Sequence, residues 1–191
     1  MRSRLAAAAV ILLVLAACGK KEEAKAPAPA TAPAVAPLTG FAHDAAFDAA
    51  GYFVPAIDLT IGKHRLSQIS IGAPSDFAGW ETGQREGLFG PILVEFDDIT
   101  SPQETNELGQ SVHKVRVRVL PEAYSLSSGK IAFKGKDPAL GEVRIEGAFD
   151  QTAFKAARET GSSGSTPVLQ AVVQVGDAEI RDRRFTFFVG D

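Results

Sequence analysis

The chain is poor in the side chains that build disulfide frameworks and metal centres. Its 191 residues include one cysteine, Cys18, and three histidines, His43, His64 and His113. A single cysteine cannot form a disulfide within the chain, and a zinc site requires three or four nitrogen or sulfur ligands. The histidines are scattered, with no pair at the spacing of ligands on one helix or strand. We therefore predict no metal and no cofactor.

Positive charge is not in excess either. The chain has 20 lysine and arginine residues against 23 aspartate and glutamate residues, which gives a formal net charge of −3. Proteins that bind nucleic acid usually present a strongly basic face to the phosphates. The charge balance therefore predicts no nucleic-acid partner.

Catalytic motifs are missing as well. The chain has no Gly-x-Ser-x-Gly nucleophile elbow and no glycine-rich loop of the kind that cradles phosphates. Glu95, Asp97 and Asp98 stand close together, and paired carboxylates serve glycosidases. Glu95 and Asp97, however, share one face of a predicted strand, where we expect them to face water and pair with arginines. We assign no catalytic residue and predict that the protein is not an enzyme; a hydrolase has the least support.

The one long apolar run, Leu5–Ala17, covers 13 residues, whereas a helix that spans a membrane needs about 20. The run follows Arg2 and Arg4 and ends on small residues, as in a secretory signal peptide. Its last residues, Leu15-Ala16-Ala17-Cys18, resemble the lipobox of a bacterial lipoprotein precursor. This resemblance implies that residues 1–17 are removed and that Cys18 carries a diacylglyceryl group on its sulfur and, in most such bacteria, an acyl group such as palmitate on its amine.

The resemblance also implies a location for the mature protein. Several acyl chains give stable attachment to a bilayer, which a single chain does not. Gly19 follows the cysteine, where an aspartate marks retention at the inner membrane in enteric lipoproteins. The family rule therefore favours the periplasmic face of the outer membrane, and the periplasmic face of the inner membrane is the alternative. Without Arg2 and Arg4, the mature chain has 18 basic against 23 acidic residues, a formal charge of −5.

Residues 18–40 are predicted to form a tether between the lipid and the folded domain. The segment is rich in alanine and proline and offers almost nothing to a core. Prolines lack a donor and disfavour helix and sheet, so we expect an extended spacer. At about 3.1 Å per residue its reach is at most roughly 70 Å.

Residues 41–191 are predicted to form a single β-rich domain, because polar and apolar residues alternate there as in half-buried strands. We predict an all-β fold of about eight strands, an antiparallel β-sandwich, with a small β-barrel as the alternative. Pro121 predicts an edge or a bend, and a change of parity predicts a bulge near residues 182–184. One short helix is predicted near residues 151–159, with Asp150 as its N-cap and Gly161 as its stop.

Gly72–Pro91 is predicted to be a long loop that carries Phe77, Trp80, Leu88 and Phe89. Loops of this length are commonly functional, and an aromatic residue on a loop can anchor a partner. The four side chains are therefore a candidate partner-binding loop. The alternative is that the rings fold back and cover an open end of the sheet.

Lys114, Arg116 and Arg118 form a candidate cationic strip on the polar side of one strand. Such a strip is suited to an anionic glycolipid or an acidic envelope protein. Its alternative is local pairing with acidic residues across the strands.

Together these features predict a lipid-anchored periplasmic, non-catalytic binding or assembly module of the cell envelope. A carrier of an apolar ligand in a barrel cavity is the alternative, with its interior lined by Val94, Phe96, Val117, Val143, Ile145 and Phe187.

Overall fold

A computed structural model describes residues 37–85, 87–107 and 109–190. The predicted signal peptide, Cys18 and most of the predicted tether lie outside these ranges. The first part of the domain consists of β1 (Phe41–His43), β2 (Gly51–Pro55), β3 (Thr60–Ile61), β4 (His64–Ile71), α1 (Pro74–Glu81), β5 (Ile92–Asp98) and β6 (Gln103–Thr105). The second part consists of β7 (Ser111–His113), β8 (Arg116–Val119), β9 (Pro121–Leu126), β10 (Lys130–Asp137), β11 (Gly141–Phe149), α2 (Gln151–Thr160), β12 (Leu169–Val175) and β13 (Ala178–Phe188).

Eleven of these strands form one sheet, in the order β1-β9-β10-β11-β12-β13-β2-β4-β5-β8, with β3 paired to β4. Strands β6 and β7 form a separate small sheet. All pairs are antiparallel except β1 with β9. The all-β antiparallel prediction is therefore confirmed.

The large sheet curls into a half-barrel. Strands β8 and β9 lie near opposite ends of the sheet order, yet only Leu120 separates them in the chain. The chain bends there, so that β8 pairs with β5 and β9 pairs with β10. The bend predicted at Pro121 is confirmed. Because hydrogen bonding continues from strand to strand around the curl, the arrangement is closer to the barrel alternative than to two facing sheets.

The concave side of the sheet holds the apolar core, and α2 covers it. Phe53, Phe149, Phe154 and Phe187 pack together there, with neighbouring ring centroids 5.1–5.9 Å apart. Asp150 accepts a hydrogen bond from the backbone N–H of Ala153 at 2.9 Å, which satisfies a free donor in the first turn of α2. The predicted helix and its N-cap are confirmed.

Two backbone predictions at the ends of elements are also confirmed. Gly161 ends α2 in the left-handed conformation, with φ of 79°. In the last strand Asp182 has φ of 55°, and the register between β12 and β13 shifts between Ala171 and Val173. The predicted bulge near residues 182–184 therefore lies where the parity of the sequence changes.

Two elements differ from the prediction. The segment Gly72–Pro91 contains the helix α1 and is not a continuous loop. Strand β5 is buried on both faces and is not half-buried, because its convex face is covered by side chains of the neighbouring strands. Both elements, α1 and β5, line the candidate site described below.

Candidate functional site

A groove of about 660 Å³ lies on the convex face of the sheet. Its floor is formed by outward-facing side chains of β2, β4, β5 and β8, and one end is bounded by α1 and the segment that follows it. We call this feature the outer groove. Its floor and walls include Tyr52, Gln68, Ser70, Asp76, Trp80, Gln84, Phe89, Leu93, Glu95, Arg116, Arg118 and Val189.

The floor of the outer groove is built on buried carboxylates. Glu95 lies opposite Arg118 across the β5–β8 pair, and Asp97 lies opposite Arg116. Arg118 Nε donates to Glu95 Oε1 at 3.0 Å. Arg116 Nε lies 3.3 Å from Asp97 Oδ1 in an ion pair that lacks hydrogen-bond geometry, while Arg65 Nη2 donates to Asp97 Oδ2 at 3.2 Å. Burial of a charge requires such partners, and the guanidinium groups above the two carboxylates supply them.

The predicted pairing of Glu95 and Asp97 with arginines is thus confirmed, but the prediction that they face water is wrong. Both carboxylates are buried because the longer arginine side chains extend over them. Of the predicted cationic strip, Arg116 and Arg118 lie in the outer groove. Lys114 is not among the groove residues and forms an ion pair with Glu104 at 3.6 Å.

Gln68 is a groove residue that the sequence analysis missed. Its Nε2 donates to Glu95 Oε2 at 2.6 Å. The register between β4 and β5 shifts between Leu66 and Gln68, which places Gln68 on the convex face although Leu66 lies in the core. The signal was present, since the apolar positions of this strand change their spacing from three residues to two between Leu66, Ile69 and Ile71.

Asp98, the last residue of β5, is a third buried carboxylate and is not among the groove residues. Lys63 Nζ donates to Asp98 Oδ2 at 2.7 Å, and the hydroxyl of Thr100 donates to Asp98 Oδ1 at 2.6 Å. These two hydrogen bonds, that of Lys63 first, hold the pKa of Asp98 well below its ordinary value. The carboxylate therefore remains ionised throughout the range in which the protein is expected to work.

The four side chains of the candidate partner-binding loop separate into two pairs. Leu88 and Phe89 are 62% and 69% exposed, and Phe89 forms part of the groove wall. Arg118 Cζ lies 5.6 Å from the centroid of the Phe89 ring, within reach of a cation–π interaction. These two apolar side chains are thus exposed, as the predicted loop requires.

Phe77 and Trp80, in contrast, belong to the core. They are 2% and 7% exposed, so the alternative expectation, that the rings fold back over an open end of the sheet, is confirmed for this pair. Both lie on α1, whose first turn contains Pro74 and Asp76. Proline in the first turn and an acidic residue near it are helix-start signals, and Phe77 and Trp80 stand three residues apart, as on one helix face. These signals could have identified the helix.

The C-terminal end of α1 is held to the sheet by a hydrogen-bonded cluster. Glu81 Oε1 accepts from the hydroxyl of Tyr124 at 2.9 Å and lies 2.8 Å from His43 Nδ1. The His43 ring stacks on Phe77, with centroids 4.9 Å apart. Burial, followed by the hydrogen bond to the Glu81 carboxylate, raises the pKa of Tyr124 well above its ordinary value. The wall of the outer groove is therefore fixed to β1 and β9.

Other kinds of site find no support in the described ranges. No group of three or more His, Cys, Asp or Glu side chains there is arranged to hold a metal ion. Among the same residues, no helix is both long and apolar enough to cross a membrane. Comparisons of the chain with protein-family models, with curated proteins and with solved structures found no match.

Proposed function

We propose that the chain is a lipid-anchored, non-catalytic binding or assembly module of the cell envelope, held on the periplasmic face of the outer membrane, or alternatively of the inner membrane. The lipobox resemblance at Leu15–Cys18 supports the anchor. The observation that supports binding is the outer groove, which combines exposed Phe89 with partly exposed Arg116 and Arg118. Aromatic residues and arginine are the types enriched at the centre of protein interfaces.

The packing of the core favours this function over the apolar carrier. The six positions proposed to line a barrel cavity contact one another or their neighbours in a continuous apolar cluster, and five of them are at most 1% exposed. Those five are Val94, Phe96, Val143, Ile145 and Phe187, while Val117 is partly buried against the cluster. Interiors of this kind are close-packed, and a ligand would have to displace the side chains.

The anchor is tested by Cys18→Ser. A hydroxyl cannot take the place of the thiol in the diacylglyceryl transfer that the resemblance implies, so we expect the variant to leave the membrane fraction. The measurement is fractionation of cells that express each form, followed by mass determination of the protein purified from its fraction. The wild-type chain should carry a mass increase on Cys18. A wild-type protein with a free thiol, or a variant that still sediments with the membranes, would contradict the anchor.

The binding site is tested by crosslinking in cells. A photoreactive amino acid in place of Phe89 should give a discrete adduct, because this side chain is exposed on the wall of the outer groove. Ile57 is the matched control, since it is 74% exposed and is not among the groove residues. Trp80 is unsuitable because it is buried. Equal labelling from both positions, or no adduct from position 89, would contradict the proposed site.

A further inference from the structure

The two guanidinium groups on the floor of the outer groove each face a buried carboxylate with Nε, and their terminal nitrogens are unused. Arg118 uses Nε to bind buried Glu95, and Arg116 directs Nε towards buried Asp97. The terminal nitrogens of both arginines make no hydrogen bond to any residue in the described ranges. The terminal N–H groups of both arginines are therefore free to bind a ligand, and the hydrogen bond to Glu95 orients Arg118 from beneath.

The groove supplies few competing acceptors for these donors. Glu95 already accepts hydrogen bonds from Arg118 and Gln68. Asp76 Oδ2 already accepts from the backbone N–H of Ala73 at 2.8 Å, as part of the start of α1. The terminal nitrogens of Arg116 and Arg118 are thus charged donors that neither of these carboxylates takes up within the described ranges. A guanidinium with free terminal nitrogens binds a carboxylate in a bidentate manner.

Apolar side chains share the groove with the arginines. Phe89 lies against Arg118, and Leu93, Tyr52 and Val189 line the same groove. Arg116 and Arg118 stand two residues apart on one strand face, a separation of about 6.6 Å. A ligand that fits both features has a carboxylate next to an apolar side chain. A planar lipid surface fits less well, since the arginines lie on the floor of a concave site and the exposed ring of Phe89 stands at its wall.

We infer that the outer groove binds an extended, acidic peptide segment of a partner protein. Its aspartate or glutamate side chain pairs with the terminal nitrogens of Arg116 and Arg118, and a neighbouring apolar side chain packs against Phe89. This inference rests on the proposed function, because it assigns a ligand class to the same groove. It goes further in stating that binding depends on the terminal nitrogens of these two guanidinium groups.

The test selects ligands from a phage library of random octapeptides on the immobilised full-length mature chain. We use the Cys18→Ser form so that no lipid contributes to capture. We expect the selected peptides to share an acidic residue next to an apolar one. Phe89→Ala and Arg118→Lys should each weaken binding of the selected peptides by about tenfold, which corresponds to loss of one charge-assisted or well-packed contact.

The variants are chosen so that a loss of binding differs from a loss of folding. Arg118→Lys retains a cation above buried Glu95 but removes the planar fork, and Phe89 is largely exposed. Arg181→Gln is the matched control, because this arginine is exposed, pairs only with Glu179 within the described ranges and is not among the groove residues. Thermal melts followed by circular dichroism should show all four proteins folded, and Arg181→Gln should bind as the parent does.

Several outcomes would overturn the inference. They are selection of no peptide, selection of peptides without an acidic residue, or equal binding by the parent, Arg118→Lys and Phe89→Ala. The same applies if the parent binds phosphatidylcholine vesicles only when they contain phosphatidylglycerol and the selected peptides do not compete, since the ligand would then be a lipid headgroup. If any of these results is accompanied by a specific adduct at position 89 in cells, the peptide inference fails and the proposed function stands. If the groove gives neither a specific adduct nor peptide binding, the inference and the proposed function both fail.

Discussion

Phe187→Ala should lower the free energy of unfolding by about 3–5 kcal/mol, the cost of removing a large ring from a close-packed core. Phe187 is 1% exposed, and its ring lies 5.2 Å from that of Phe53 and 5.1 Å from that of Phe154. It therefore joins β13, β2 and α2. The residual cavity would lie where the helix closes over the sheet, so neither neighbour can move in to fill it without breaking other contacts.

The next residue provides the control for this change. Phe188 belongs to the same strand but is 37% exposed and stacks on Tyr52 on the convex face, with centroids 5.0 Å apart. We expect Phe188→Ala to cost about 1 kcal/mol, the value of one aromatic pair. Urea unfolding of both variants, followed by circular dichroism, gives the comparison. Equal losses, or a larger loss for Phe188→Ala, would show that the faces of β13 are assigned the wrong way round.

Gly135→Ala should destabilise the protein by about 3 kcal/mol, the upper end of the range for overpacking. Gly135 lies on β10, where that strand meets the bend between β8 and β9. A Cβ at this position would press on the carbonyl oxygen of Leu120 and would lie 2.7 Å from Val119 Cγ1 and 2.9 Å from Phe133 Cζ. A backbone oxygen held between two paired strands cannot move aside as the end of a flexible side chain can.

Gly129→Ala is the matched control for Gly135→Ala. A Cβ at Gly129 would meet no atom within 4 Å beyond its chain neighbours, and the backbone there does not need positive φ. The substitution should therefore change the stability by no more than about 0.5 kcal/mol. The two variants are compared by urea unfolding. If they are equally stable, the close approach of β10 to the bend at Leu120 is absent.

The outer groove depends partly on local sequence patterns and partly on contacts between residues far apart in the chain. The positions of Arg116 and Arg118 on one strand face follow from a period of two residues. The sequence alone allows these arginines to pair either with Glu95 and Asp97 or with Glu142 and Glu146, which alternate in the same way on another strand. The β5–β8 register selects the first arrangement. Glu142 instead pairs with Arg144 and Lys134.

The sequence predicted that the candidate partner-binding loop contains exposed aromatic residues, but it could not show which rings are exposed, because that depends on distant neighbours. Its length and its aromatic residues are visible in the sequence, but whether a ring lies inside or outside depends on what it meets. Phe77 and Trp80 meet Tyr124 and Phe41, which come from β9 and β1. Phe89 meets only Arg118 among the ring and cation contacts in the described ranges and stays exposed.

The amino-acid sequence by itself determined the features that depend on neighbours along the chain. These are the strand alternation, the N-cap of α2 at Asp150, the left-handed stop at Gly161, the bend at Pro121 and the bulge near Asp182. Each follows from backbone geometry or from hydrogen bonds within a few residues. Only the tertiary structure decided that the strands form one curled sheet, that Glu95 and Asp97 are buried, and that Phe89 stands at a groove. These features depend on contacts between residues tens of positions apart, and the local pattern is compatible with more than one such set of contacts.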